Sequence, residues 1–179
     1  MGERACLALL VSAIGCTGEV APMPGGHSIG AAGGSVTLID GTGITIPPGA
    51  LGATVSITGA LIANPKIPGA FASAGNSYTF GPEGTQFQTP VTVTLALSSS
   101  FAAKDVVILT APAGTTSYEM LATTVLDATH VQAQVSHFSD FYPVAPTCMD
   151  SMCGSMTKCC SCPPDYATWS CIPPSTCCK

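Results

Sequence analysis

Charge is what this chain has least of. Only 8% of its residues are Asp, Glu, Lys or Arg, against roughly 25% in an average soluble protein. Five residues are Lys or Arg, they form no cluster, and the net charge is −5. Recognition of a nucleic-acid backbone needs a basic patch, so nucleic acid is excluded as a partner. Attraction to an anionic membrane surface is excluded on the same ground. No stretch of ten residues holds a helical apolar stripe; residues 70–74 have room for a single turn. The longest N-terminal apolar run, residues 5–14, is far below the roughly 20 residues a membrane-spanning helix needs. There are three His and ten acidic residues, and with both this sparse no constellation for a hydrolase emerges. Neither a cofactor nor a metal is expected.

Turn formers and cysteine are abundant instead. Nineteen Gly and fifteen Pro break the chain into short pieces, the composition of strands and turns rather than helices. Eight of the ten Cys fall within residues 148–178, which points to an oxidising compartment.

Residues 1–16 read as a lipoprotein signal segment. Arg4 supplies the positive start, the apolar run follows, and Ala13-Ile14-Gly15-Cys16 resembles the bacterial lipobox. The resemblance implies lipidation at Cys16, with several acyl chains such as palmitate giving a stable anchor where one would be marginal. Thr17 follows the cysteine in place of the Asp that retains some lipoproteins at the inner membrane. The expected address is therefore the bacterial cell envelope, at the outer membrane or cell surface. Residues 17–30, with Pro22, Pro24, Gly25, Gly26 and Gly30, read as a flexible tether, and His27 as a solvated linker histidine.

From residue 34 onward, strand signals come at close spacing. Val36 and Leu38 alternate with Ser35 and Thr37, and Val55 and Ile57 with Thr54, Ser56 and Thr58. Val91, Val93, Leu95 and Leu97 alternate with Thr92, Thr94 and Ala96, and Val131, Ala133 and Val135 with Gln132 and Gln134. Val106-Val107-Ile108-Leu109 is continuous, as in a strand buried on both faces. Pro47-Pro48-Gly49, Asn64-Pro65, Gly81-Pro82 and Pro112-Ala113-Gly114 punctuate them. Short strands separated by such turns predict an all-β sandwich of antiparallel strands.

Three segments carry a family resemblance: Gly33-Gly34-Ser35-Val36, Ile46-Pro47-Pro48-Gly49-Ala50-Leu51, and Gly81-Pro82-Glu83-Gly84-Thr85-Gln86-Phe87-Gln88-Thr89-Pro90-Val91. In that order and spacing they resemble the ZU5 domain over residues 31–144, which implies a ZU5-like β-sandwich. Glu83 stands where the family often has His. The family's spectrin-binding surface in ankyrins is basic, and this chain nearly lacks Lys and Arg, so no spectrin-type partner is expected. Phe87 reads as a core anchor.

One tripeptide carries candidate chemistry. His137 continues the parity of Val131, Ala133 and Val135, and is followed by Phe138 and Ser139. A ZU5-containing death-domain adaptor cuts itself at His-Phe-Ser, and the resemblance implies the same reaction here. Ser139 would attack the Phe138 carbonyl carbon in an N-to-O acyl shift, with His137 as base, and water would hydrolyse the ester. The plainer reading, preferred here, is a structural strand end with Ser139 and Asp140 as turn residues. The protein is then not an enzyme, and single-turnover self-cleavage is the rival.

Residues 145–179 form a separate tail. Cys148, Cys153, Cys159, Cys160, Cys162, Cys171, Cys177 and Cys178 are too dense for a core, so disulfides are expected to hold it. Their pairing has about 105 possibilities. The tail has no His, which disfavours zinc. Tyr166 and Trp169 are candidates for a face that binds protein or glycan.

Overall fold

In a computed structural model, residues 26–147 are described, with the backbone of two tail strands at 158–160 and 170–172. The body is all-β and antiparallel. Its strands are β1 (His27–Ile29), β2 (Gly34–Thr37), β3 (Gly43–Ile46), β4 (Val55–Leu61), β5 (Phe71–Ser73) and β6 (Tyr78–Gly81). They continue with β7 (Gln86–Ala96), β8 (Val107–Ala111), β9 (Glu119–Leu121), β10 (Thr123–Val125), β11 (His130–His137) and β12 (Asp140–Pro146). A single 3-10 turn, Ala103–Asp105, precedes β8.

Two sheets share one apolar core, a sandwich-like arrangement. One has the order β1-β4-β6-β12-β8-β9, with β5 also against β12; the other has the order β10-β11-β7-β3-β2. Alternation builds the second sheet directly. Val91, Val93 and Leu95 of β7 and Val131, Ala133 and Val135 of β11 face inward, and all are buried. Ile57, Phe80, Ile108 and Phe141 of the first sheet join the same cluster. The polar partners in each strand, Thr92, Thr94, Gln132 and Gln134, take the opposite face, as a period of two requires.

At both margins a short strand in one sheet is followed directly by a strand in the other. β1 edges the first sheet and β2 the second; likewise β9 and β10, with only Ala122 between them. Such crossings leave little exposed edge for unwanted pairing.

The first sheet is buried on its outer face as well. Loop residues Ile62, Ile67, Ala70 and Tyr118, with Phe71 of β5, pack on Leu109, Ala111, Tyr142 and Val144 in a second apolar cluster. Tyr118 meets Tyr142 edge-on, with ring centroids 5.6 Å apart, and its hydroxyl donates to the Lys66 carbonyl. This cover explains the continuous apolar sequence of β8.

Two local expectations need correction. His27 is not in a free linker: β1 pairs with β4, with His27 opposite Ile57 and Ile29 opposite Val55. Ile29 is 6% exposed, and that buried side chain gives the pairing its apolar anchor. Residues 71–73 form β5 rather than a helical turn, because β12 offers them an open edge at Val144–Pro146.

Of the tail, β13 (Lys158–Cys160) and β14 (Ser170–Ile172) pair antiparallel. The expectations for Cys16, Cys148, Cys153, Cys162, Cys177, Cys178, Tyr166 and Trp169 lie outside the described residues.

Candidate functional site

The body's last strand is its central one. β12 pairs along one side with β8, from Asp140↔Ala111 to Val144↔Val107. Its other side pairs first with β6, at Asp140 and Phe141, then with β5 from Val144. The segment 137–140 feeds the chain from the second sheet into that central slot, and Phe138 lies in the core between the layers.

His137 ends β11, where the register breaks. Val135 faces Val91, yet His137 faces Gln86. The extra residues of β7 include Pro90, which has no N–H to donate and is tolerated at such an irregularity. His137 is partly exposed, and its Nδ1 lies 3.5 Å from the Ser136 hydroxyl. No hydrogen bond joins it to Ser139 among the described residues.

Phe138 is 1% exposed. Its ring meets Phe87 edge-on at 4.8 Å and stacks near Phe80 at 6.4 Å. Its N–H donates to the Thr85 carbonyl at 3.1 Å. Phe87 is 9% exposed in the same core. The two aromatics lock the strand entry of β7 against the exit of β11.

Ser139 is 2% exposed, and its Oγ donates to the Ala111 carbonyl across the sheet at 2.6 Å. Its own carbonyl accepts from the Phe80 N–H at 3.3 Å. Asp140 is not an exposed turn residue: it opens β12 and is 6% exposed. The Tyr142 hydroxyl donates to Asp140 Oδ2 at 3.1 Å, and the Thr110 hydroxyl to the Asp140 carbonyl at 3.0 Å. Burial, reinforced by this carboxylate, pushes the Tyr142 hydroxyl well above the usual tyrosine range. Tyr118 is raised for the same two reasons.

The structure thus brings His137, Phe138 and Ser139 into sequence contact without convergence of their side chains. The Ser139 hydroxyl donates to Ala111, and among the described residues no hydrogen bond joins His137 to Phe138 or Ser139. Beside them, between β9 and β11, lies a cavity of about 130 Å³, lined by Thr110, Glu119, Leu121, Val135, His137 and Phe141 among others. Small-molecule sites usually measure about 300–1,000 Å³. Among the described residues no group of three or more His, Cys, Asp or Glu is placed to hold a metal.

Two further polar pins escape a reading of the sequence. The Tyr78 hydroxyl donates to Asp40 Oδ2 at 2.7 Å, while Asp40 Oδ1 accepts from the Thr42 N–H at 3.0 Å. Burial first, then Asp40, push the Tyr78 hydroxyl up to about 12. At the same end, His130 Nδ1 lies 3.0 Å from Asp127 Oδ1, and the His130 ring packs on Gly41. The Thr129 N–H, then His130, hold the Asp127 carboxyl down at about 2. The short spacings Asp40-x-Thr42 and Asp127-x-Thr129 are local turn signals; the reach from Asp40 to Tyr78 has no signal in sequence.

No protein-family model matches the chain, and no curated protein matches it.

Proposed function

We propose that this is an exported, lipid-anchored protein of the bacterial cell envelope with a structural, adhesive or protein- or glycan-binding role. Its body is read as a ZU5-like β-sandwich, followed by a disulfide-held module. The non-catalytic part of this reading rests on one observation: the side-chain and backbone groups of 138–140 are engaged in holding the central strand, through Ala111, Phe80, Thr85, Thr110 and Tyr142. The donation of the Ser139 hydroxyl to a buried carbonyl, with no hydrogen bond to His137 among the described residues, supports a structural role.

The placement of the turn segments is compatible with the ZU5 reading. Pro47-Pro48-Gly49 ends β3, and Gly49 takes a φ of 79° that favours glycine. Gly81-Pro82-Glu83-Gly84 joins β6 to β7 and leads to Phe87 in the core. Export is supported by Arg4, the apolar run, Cys16 and the cysteine density of the tail.

Metabolic labelling with a palmitate analogue tests the anchor. Label should enter the protein, leave with Cys16→Ala, and co-fractionate with outer membrane. Unlabelled protein recovered in the cytosolic fraction would overturn the proposal.

A further inference from the structure

Strands β13 and β14 carry three of the eight tail cysteines. Their register sets Lys158 opposite Ile172, Cys159 opposite Cys171, and Cys160 opposite Ser170. Directly opposed residues of an antiparallel pair have Cα atoms about 4.5 or 5.5 Å apart, depending on the hydrogen-bonding position. A disulfide needs about 4.4–6.8 Å. Both kinds of position meet this Cα spacing, and the non-hydrogen-bonded kind, whose side chains lie closer, suits the bond better. Cys160 has a serine opposite it and takes the other face of the ribbon. A bond between adjacent Cys159 and Cys160 would be strained. Within this hairpin, one cysteine pairing alone is in register.

We propose that Cys159 and Cys171 are joined by a disulfide across the β13–β14 hairpin. The two thiols lose two protons and two electrons. The electrons reduce the disulfide of a dithiol–disulfide oxidoreductase of the envelope to two thiols, so the exchange balances. With this bridge set, the remaining six cysteines have about 15 pairings rather than about 105. The bond also closes the base of the segment 160–170, which holds Tyr166 and Trp169. The inference rests on the reading that the chain is exported to an oxidising compartment.

The test uses the full chain with its own leader, isolated from the cell envelope with free thiols alkylated at harvest. Wild type, Cys159→Ser, Cys171→Ser and the double variant are digested without reduction, and alkylated cysteines are located by mass spectrometry. Wild type should show no alkylated tail cysteine. Cys159→Ser should be alkylated at Cys171, Cys171→Ser at Cys159, and the double variant at neither. A single variant alkylated at any other tail cysteine would overturn the pairing and leave export standing. A wild-type tail alkylated throughout would overturn both. Should the single variants fail to accumulate, wild type decides alone. Cleavage after Tyr166 and Trp169 separates the Cys159 peptide from the Cys171 peptide, and partial reduction must release these two thiols together.

Discussion

Replacing Phe138 by Ala removes the aromatic that joins the two sheets at the point where the chain crosses between them. The ring is 1% exposed and lies 4.8 Å from Phe87 and 6.4 Å from Phe80. Buried Phe→Ala substitutions cost about 3–5 kcal/mol, combining lost transfer energy with the cavity left behind. The upper half of that range is expected here, because the walls belong to strands held on both sides and have little freedom to collapse. Domains are stable by roughly 0.05–0.15 kcal/mol per residue. A body of about 120 residues therefore has about 6–18 kcal/mol in all, and the variant would lose a large share. Urea melts followed by far-UV circular dichroism measure this; the single Trp, Trp169, lies in the tail and is a poor reporter of the body. The midpoint should fall with an unchanged slope. Phe138→Leu, which conserves most of the volume, should cost under about 1.5 kcal/mol. A loss below about 1 kcal/mol for Phe138→Ala would refute the placement of this ring in the core, since buried-ring truncation costs at least about 3 kcal/mol.

Other perturbations give equally definite outcomes. Tyr78→Phe removes a hydrogen bond to a carboxylate oxygen, which is worth about 1.5–3 kcal/mol, and the same melts read it. The raised Tyr78 value makes stability fully present below about pH 10 and lost as pH climbs through about 12; absorbance at alkaline pH should show late-ionising tyrosines, and Tyr78→Phe should remove one of them while those due to Tyr118 and Tyr142 remain. Asp127 acts in the opposite sense: its depressed value gives stability that is present above about pH 4 and lost as pH falls toward about 2. Asp127→Asn should flatten that acid limb in melts from pH 5 to 2. Gly41 has a φ of 88°, and a Cβ there would lie 2.5 Å from His130 Nε2, so Gly41→Ala should cost about 1–3 kcal/mol through backbone strain, and less in a His130→Ala background.

Legibility in sequence followed the number of buried faces. β7 and β11 pack on one side only, so Val91 to Leu95 and Val131 to Val135 alternate with polar residues and read directly as strands. The run at 106–109 was legible for the converse reason, a strand covered on both sides. Asp140 was misread because a polar residue next to Ser139 signals a turn, whereas the cover that Tyr118 and its loop provide is a tertiary fact. β1 and β5 are three residues each, too short for any period to declare itself. Both exist because a longer strand, β4 or β12, had an open edge. The tripeptide 137–139 was visible as a motif, but its meaning depends on the direction of the Ser139 hydroxyl. Ala111, 28 positions earlier, fixes that direction, and no local pattern relates the two.

The central claim is that residues 137–140 hold the strand and do no chemistry. The intact mass of the mature protein, reduced and denatured, tests it most directly. The account predicts one uncleaved chain, unchanged in mass apart from the substitution in Ser139→Ala. Two fragments divided between Phe138 and Ser139 in the wild type, and absent from Ser139→Ala, would contradict it.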